Sequence, residues 1–285
     1  MDKTAKRERE YQTSATIPLQ YDTGFSPFGV AEFAQALSWL KENGFHGAEL
    51  AVARPATVDG ADLRELLDRF GLRVPTLSTG QAYGMEGISL SGADEDSRSK
   101  AIHRIKEHAD LAAKLGAPLV TVGLIRGRME AGKEEEGLAR FRDSMSECLP
   151  YAKDRGVCLI LEPINRYETN LLNSCEETAR FIRGPLGAFD NIGILYDAFH
   201  SNIEDADMPG AIEECGALIR HVHLADSNRG LPGYGHTDFA PVLAALDSLA
   251  YDGFFSLETL NLPDREYIRQ RAMDGVCCWL GRCGI

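Results

Sequence analysis

The feature that most constrains the fold is a regular alternation of short apolar runs with segments of helical periodicity. Eight runs have the length and composition of buried strands, at residues 14–19, 47–52, 74–78, 119–124, 157–161, 192–199, 219–225 and 254–257. Between them, apolar residues recur at the spacing of one helix face. Alternating strands and helices predict parallel strands. Eight such units predict a single-domain α/β protein, a (β/α)8 TIM barrel.

An open, doubly wound sheet is the alternative architecture for this alternation. Such a sheet usually has a glycine-rich turn after its first strand. Here the turn reads Gln-Tyr-Asp-Thr-Gly-Phe at residues 20–25, which is not a dinucleotide fingerprint, and no P-loop is present. No flexible linker divides the chain. We therefore expect a flexible N-terminal tail at residues 1–12 and one barrel domain at residues 13–285.

Charge and cysteine content restrict the classes of function. The 285 residues have a formal net charge of −13, which argues against nucleic acid or an anionic membrane as partner. No apolar run approaches the length of a membrane span. The seven cysteines show no metal-binding spacing, and the N-terminus has no apolar signal segment. We expect reduced thiols and a cytoplasmic protein.

Polar side chains lie at or near the C-terminal ends of the last four predicted strands, where the active sites of such barrels lie. They are Glu162, Asp197, His223 and Glu258. A single carboxylate at a strand end is more often a helix cap or an ion-pair partner, but separate accidents rarely occur at four consecutive strands. Three carboxylates and one imidazole suit Mn²⁺ or Mg²⁺, with Co²⁺ or Zn²⁺ as further candidates. The sequence therefore predicts a divalent-metal site, with Mn²⁺ as the first choice.

Two histidines and one cysteine near this site have structural interpretations. We expect His221 and His223 to face opposite sides of strand seven, with His223 inward and one histidine against the helix layer. Cys158 is interpreted as a core residue, because no histidine is placed to activate it as a nucleophile.

Several motifs resemble those of the sugar phosphate isomerase/epimerase family, the xylose isomerase-like TIM barrels. They are Glu-Pro-Ile-Asn-Arg-Tyr-Glu at 162–168, Asp-Ala-Phe-His at 197–200, His223 with Asn-Arg at 228–229, and Glu258. Within the family they most resemble ketose 3-epimerases, such as D-tagatose and D-psicose 3-epimerase. The Asn-Arg-Tyr-Glu portion and Gly-Leu-Ile-Arg-Gly at 123–127 are also similar to 5-keto-L-gluconate epimerase.

The resemblance implies a mechanism and assigns roles to residues. Glu162, Asp197, His223 and Glu258 would bind the metal, which chelates O2 and O3 of a ketose. Glu162 and Glu258 would also be the acid/base pair that removes a proton from C3 and returns one to its opposite face, through an enediolate.

The resemblance also implies how the substrate is held. His200 and Arg229 would bind substrate oxygens near C1 and C2, and Glu168 would be the partner of His200. Because similar barrels are commonly dimers or tetramers, the resemblance further implies a homodimer or homotetramer.

The N-terminal loops do not match the family pattern clearly. Tyr21, Phe25, Tyr83, Arg126 and Arg128 are candidate lining residues, with packing or surface roles as the alternative. The two arginines would either favour an acidic or phosphorylated sugar or form ion pairs with the Glu-rich segment that follows them.

Three other functions remain on the same barrel. One is an aldose–ketose isomerase similar to hydroxypyruvate isomerase, which moves hydrogen between C1 and C2. The second is a DNA-repair endonuclease similar to endonuclease IV, which should have more His and Asp ligands and a basic surface. The third is a non-catalytic sugar-binding protein.

Overall fold

The computed structural model describes residues 11–280 and shows the predicted (β/α)8 barrel. Eight parallel strands pair in sequence order, and β1 pairs with β8 to close the sheet. The strands are β1 Gln12–Pro18, β2 Gly47–Ala51, β3 Thr76–Ser78, β4 Leu119–Val122, β5 Cys158–Leu161, β6 Ile192–Asp197, β7 Ile219–Leu224 and β8 Phe254–Leu257. The predicted fold class is confirmed.

Within residues 11–280, ten α-helices surround the strands or lie in the loops at the barrel mouth. They are α1 Phe33–Glu42, α2 Gly60–Phe70, α3 Gly80–Glu86, α4 Glu95–Leu115, α5 Glu134–Lys153, α6 Cys175–Arg183, α7 Ala198–Glu204, α8 Met208–Cys215, α9 Phe239–Ser248 and α10 Arg265–Trp279. Two differ from expectation. The segment after β3 contains two helices, α3 and α4, instead of one, and β6 ends at Asp197 instead of residue 199 because α7 begins at the next residue.

Local sequence signals fix the ends of the helices. Asp59 and Asp94 accept hydrogen bonds from backbone N–H groups of α2 and α4, and Gly71 and Gly116 end these helices with φ of +67° and +66°. A residue without Cβ adopts this left-handed conformation with little strain. Ser174 and Glu177 form a capping box at the start of α6.

Two hydrophobic clusters lie on opposite sides of the strands. The larger cluster fills the layer between sheet and helices and includes Ile17, Leu50 and Val120. The smaller one, Leu119, Ile160 and Leu195 with Cys158 packed against it, comes from strands β4 to β6. Its members lie two residues before positions that face the mouth, so they fill the barrel beneath it. Cys158 is thus a packing residue, as expected.

Three further sequence predictions concern the N-terminal tail, the cysteines and membrane-spanning segments. Residues 1–10 of the predicted tail lie outside the described residues, and Gln12 is the first residue of β1. Five cysteines of the described part are free thiols: Cys148, Cys158, Cys175, Cys215 and Cys277. No helix within residues 11–280 combines the length and apolarity that crossing a membrane requires.

Candidate metal centre and substrate cavity

Four side chains from strands β5 to β8 meet at the C-terminal mouth of the barrel. The Nδ1 atom of His223 lies 3.3 Å from Glu258 Oε2, 3.4 Å from Asp197 Oδ2 and 3.7 Å from Glu162 Oε1. The four candidate ligand atoms all lie within 4.8 Å of one another. The predicted metal ligands therefore converge on one point, although the first and the last are 96 positions apart in the sequence.

Asp197 has a different function at each carboxylate oxygen. Its Oδ1 accepts hydrogen bonds from Phe199 N and His200 N, so it caps α7. Its Oδ2 faces His223. The cap holds the second oxygen in the cluster, because the carboxylate cannot rotate without losing both backbone hydrogen bonds.

Glu49, in the middle of β2, holds the other nitrogen of His223. His223 Nε2 lies 3.0 Å from Glu49 Oε1, and His221 Nε2 lies 2.9 Å from Glu49 Oε2. All three side chains are fully buried. A carboxylate on the far nitrogen of a metal-binding histidine fixes the tautomer and the orientation of the ring.

The prediction that His221 and His223 face opposite sides of β7 is wrong. Both face the barrel interior, and their ring centroids are 5.3 Å apart. The physical reason is the period of a strand: neighbouring residues alternate between faces, so residues two apart share one. His223 does point inward, as expected, and His221 lies beneath it rather than against the helix layer.

The arrangement fits a divalent cation. His223 Nδ1 is completely buried and has no hydrogen-bond partner among the described residues, while its Nε2 contacts Glu49. When Nε2 donates its proton to Glu49, a neutral His223 directs the lone pair of Nδ1 at the point where the three carboxylates meet, and this set of donor atoms suits a metal ion. If all three carboxylates were ionised, the single guanidinium of Arg229 would leave two negative charges for a divalent cation to balance.

Arg229 crosses the cluster from the loop after β7. Its guanidinium contacts Asp197 Oδ2 at 2.6 Å and also pairs with Glu258 Oε2. The rings of Phe25 and Phe199 lie 5.2 and 4.9 Å from its central carbon. The residue has φ of +60°, a left-handed conformation that costs a non-glycine residue about 1–2 kcal/mol. The chain therefore adopts a strained backbone where it directs a cation at the site.

His200 and Glu168 are linked through a residue that the sequence analysis did not assign. Asn165 Nδ2 lies 2.8 Å from His200 Nδ1 and 2.8 Å from Glu168 Oε1. The predicted pairing of Glu168 with His200 is therefore indirect. The opposite nitrogen, His200 Nε2, lies 3.7 Å from Glu162 Oε1. Burial lowers the pKa of His200 to about 3, so the ring is neutral near pH 7.

The carboxylates of the cluster differ in their protonation. Burial raises the pKa of Glu162 to about 7, and the charges of Glu258 and Asp197 add to this effect. Burial also acts on Asp197, but Arg229 and two histidines outweigh it and hold the pKa of Asp197 below its usual range. Without a metal, Glu162 therefore holds or releases a proton near neutral pH, which is the property of a general acid or base.

A cavity of about 220 Å³ opens above the cluster. The residues that line it divide into two groups by their position in the chain. Those before residue 125 are uncharged: Thr16, Thr23, Phe25, Ala51, Ser78, Thr79, Gly80, Gln81, Thr121, Gly123 and Leu124. Those after residue 160 include six ionisable side chains and one apolar one: Glu162, Ile164, Glu168, His200, His223, Arg229 and Glu258. We call the first group the neutral wall and the second the ionisable wall.

Of the five candidate lining residues in the N-terminal half, Phe25 lines this cavity, whereas Tyr21, Tyr83, Arg126 and Arg128 are not among its lining residues. Arg126 has the packing role that was the alternative: it does not line the cavity, and within the described residues it forms no ion pair with the Glu-rich segment. The side chain is completely buried and donates to the carbonyl oxygens of Gly123, Leu171, Leu172 and Val122. Burial lowers the pKa of Arg126 to about 10, so it keeps its charge. It joins the loops after β4 and β5, because carbonyl oxygens along both loops face it.

Gly123 and Gly127 bracket this buried arginine for steric reasons. A Cβ atom on Gly123 would lie 2.8 Å from Glu162 Oε2, and one on Gly127 would lie 1.8 Å from Ser89 Oγ. Gly127 also has φ of +83°. The two glycines therefore allow the Gly-Leu-Ile-Arg-Gly segment to pack closely, so that the neutral wall contacts Glu162.

Two residues of the site, Glu49 and Asn165, were missed by sequence reasoning. Glu49 stands alone in an otherwise apolar strand, Gly-Ala-Glu-Leu-Ala. A buried carboxylate needs a partner, and this would have been the signal. Asn165 lies within the recognised motif, but nothing in its sequence position distinguishes it from a turn residue.

Comparisons with known proteins agree with this architecture. The xylose isomerase-like TIM barrel family matches residues 37–280. L-ribulose 3-epimerase of Mesorhizobium japonicum is 32% identical over 235 residues, covering 81% of this chain and 76% of that protein. A ketose 3-epimerase of Arthrobacter globiformis is 31% identical over 227 residues, covering 78% and 75%.

Solved structures of epimerases are also similar to this chain. An L-ribulose 3-epimerase structure superimposes with a TM-score of 0.78 at 27% identity, covering 96% of this chain and 92% of that one. The structure of 3-keto-D-glucoside 4-epimerase from E. coli reaches a TM-score of 0.80 at 21% identity, covering 96% and 100%, and supports the fold. The expectation of an enzyme of the isomerase and epimerase class is confirmed by these relatives. The chain belongs to the xylose isomerase-like TIM barrel family.

Proposed function

We propose that this protein is a divalent-metal-dependent epimerase that inverts C3 of a ketose. The observation that supports this best is the convergence of Glu162 and Glu258 on the same buried histidine nitrogen, at 3.7 and 3.3 Å. Two carboxylates held around one small volume suit the removal and return of a proton at one carbon. The 3-epimerase relatives support the same reaction.

Four side chains would hold the metal: Glu162, Asp197, His223 and Glu258. The metal, with Mn²⁺ as the first candidate, would supply Lewis-acid polarisation of the ketose carbonyl, which makes the neighbouring C–H more acidic. Glu49 would keep His223 in position for this role, since it occupies the nitrogen that does not face the cluster.

The protein's own groups would move the proton. Either Glu162 or Glu258 removes the C3 proton from one face, and the other carboxyl delivers a proton to the opposite face. The raised pKa of Glu162, about 7, suits a group that alternates between acid and base near neutral pH. Arg229 and His200, both buried, donate to the substrate oxygens on which negative charge develops.

The charges of the cavity favour an uncharged sugar. Three of its lining residues are carboxylates, and Arg229, the lone arginine or lysine among the described lining residues, is already paired with Asp197 and Glu258. A phosphate or carboxylate group would meet like charge on the ionisable wall and no free cation on the neutral wall. We therefore propose a free ketose as substrate rather than a sugar phosphate or keto-sugar acid.

The test is proton exchange followed by NMR. The protein, freed of metal with a chelator and resupplied with Mn²⁺, is incubated in D₂O with L-ribulose, D-psicose, D-tagatose or D-fructose. We expect deuterium at C3 together with the C3 epimer, and no reaction in the chelated sample. Exchange confined to C1 and C2 would establish the aldose–ketose isomerase instead, and exchange at C4 would establish a 4-epimerase.

Two further outcomes address the remaining alternatives. Binding of sugar without any exchange would indicate a non-catalytic binding protein. Cleavage of a duplex containing an abasic site would indicate a DNA-repair endonuclease, which the net charge of −13 argues against.

A further inference from the structure

Within residues 11–280, the hydrogen bonds to the His200 ring come from Asn165. Two N–H groups of this residue point at the same ring nitrogen: the side-chain Nδ2 lies 2.8 Å from His200 Nδ1, and the backbone N lies 3.5 Å from it. Both Asn165 and His200 are almost completely buried, so water does not compete for these contacts. A ring nitrogen that receives two donors must supply the lone pair.

The alternative assignment of the Asn165 amide is excluded by its other neighbours. Asn165 Oδ1 accepts a hydrogen bond from Tyr167 N at 3.0 Å, and Nδ2 donates to Glu168 Oε1 at 2.8 Å. If the amide were rotated by half a turn, its oxygen would face the Glu168 carboxylate and its NH₂ group would face the Tyr167 N–H. Both contacts would be repulsive, and together with His200 they fix the amide in one orientation.

We propose that Asn165 is a positioning residue that holds His200 in the tautomer with its proton on Nε2. Because Nδ1 is occupied as an acceptor, the N–H of the neutral ring is on Nε2, the atom that lies 3.7 Å from Glu162 Oε1 at the floor of the cavity. His200 thus presents a hydrogen-bond donor to the substrate and is not available as a base on that side. Glu168 acts through Asn165 by orienting its amide.

The consequence for catalysis rests on the proposed function, whereas the tautomer does not. A donor fixed before the substrate arrives stabilises an oxygen on which negative charge develops, and it needs no reorientation during the reaction. The Nε2–H tautomer also leaves the proton transfers to Glu162 and Glu258, since a neutral imidazole with Nε2–H cannot accept a proton at that atom.

The test is a long-range ¹H–¹⁵N correlation spectrum of the Mg²⁺-loaded protein without substrate, since Mg²⁺ does not broaden the signals. The chain has seven histidines, and the His200 signals are those lost in His200→Gln. We expect the ¹⁵N shift of an unprotonated nitrogen at Nδ1 and of a protonated nitrogen at Nε2. A proton on Nδ1 overturns the proposal, whether or not the protein is an epimerase.

A matched pair of variants tests the role of Asn165 in setting this tautomer. Asn165→Asp replaces the donor with an acceptor, whereas Asn170→Asp makes the same charge change in the same loop, where Asn170 contacts Met129 and not His200. We expect Asn165→Asp to move a proton onto His200 Nδ1 and to lower kcat/KM roughly a hundredfold. In Asn170→Asp, the His200 tautomer and kcat/KM should both stay close to those of the unmodified protein. Loss of activity in Asn165→Asp with an unchanged tautomer overturns the positioning role.

Discussion

The two walls of the cavity both come from parallel strands and the loops that follow them, but their side chains differ in charge. The ionisable wall, from the loops and strand ends after residue 160, contains every charged or histidine side chain that lines the cavity within residues 11–280. The neutral wall, from residues before 125, offers hydroxyl groups, one amide, one aromatic ring and two glycines. This division suggests that one half of the barrel performs the reaction and the other half shapes the space for the sugar.

The largest expected effect comes from removing one carboxyl of the ionisable wall. We expect Glu258→Gln to lower kcat by about 10³-fold or more, because the amide has the shape of the carboxyl but cannot exchange a proton. Sugar binding, measured by calorimetry, should persist.

Ser78→Ala on the neutral wall is the comparison variant for Glu258→Gln. It removes one lining hydroxyl and should cost less than about tenfold in kcat/KM. If the two variants lost activity equally, the division of labour between the walls would be wrong.

The second effect concerns stability and pH in the metal-free protein. Burial raises the pKa of Glu162 from 4.5 to about 7, so the folded state binds this proton more tightly than the unfolded state. The free energy of unfolding should therefore fall by roughly 3 kcal/mol as pH rises from about 4.5 to about 7. At higher pH it should level off.

Urea unfolding of chelated protein between pH 5 and pH 8 measures this dependence. Glu162→Gln removes the titrating group, and its stability should change less over the same range. Parallel pH profiles for the two proteins would contradict the assignment of the proton to Glu162. The neutral wall has no group that titrates in this range among its described residues.

The third effect concerns metal affinity, to which the first half of the barrel contributes through Glu49 beneath the cavity. Glu49→Gln keeps the volume of the side chain but weakens its hold on His223, so we expect Mn²⁺ affinity to fall about 10- to 100-fold. The affinity is measured by titration calorimetry or by competition with a chelator.

Thr76→Val is the control for Glu49→Gln, because Thr76 is also a buried polar residue of an N-terminal strand but contacts Thr121 instead of the cluster. We expect its Mn²⁺ affinity to equal that of the unmodified protein. If Glu49→Gln bound Mn²⁺ equally tightly, Glu49 would be a core residue without influence on the metal.

The sequence predicts the ionisable wall much better than the neutral wall, for a physical reason. Glu162, Asp197, His223 and Glu258 each lie at or near the C-terminal end of a predicted strand, and the geometry of a barrel brings these ends together regardless of loop structure. That argument needs only the strand positions.

The neutral wall and the supporting contacts depend on packing that periodicity does not encode. Arg126 illustrates this: its charge predicts a role at the surface or with a substrate, but the backbone carbonyl oxygens of Val122 in β4 and of three loop residues bind the side chain inside the protein. Glu49 reaches His223 across the closed barrel, between residues 174 positions apart. Contacts of this kind follow from three-dimensional closure, and the order of residues along each strand leaves them undetermined.

The smallest expected effect links the two walls directly. Gly123→Ala places a methyl group on the neutral wall where Glu162 Oε2 now lies at 2.8 Å, so the carboxylate must shift by several tenths of an ångström. We expect kcat to fall about tenfold, because proton transfer depends on the position of this carboxylate. Gly80→Ala is the matched control, since Gly80 also lines the cavity but no heavy atom lies within 4 Å of its added methyl group. Equal activity of the two variants would show that Glu162 tolerates movement, and that the neutral wall influences the reaction only by selecting the sugar.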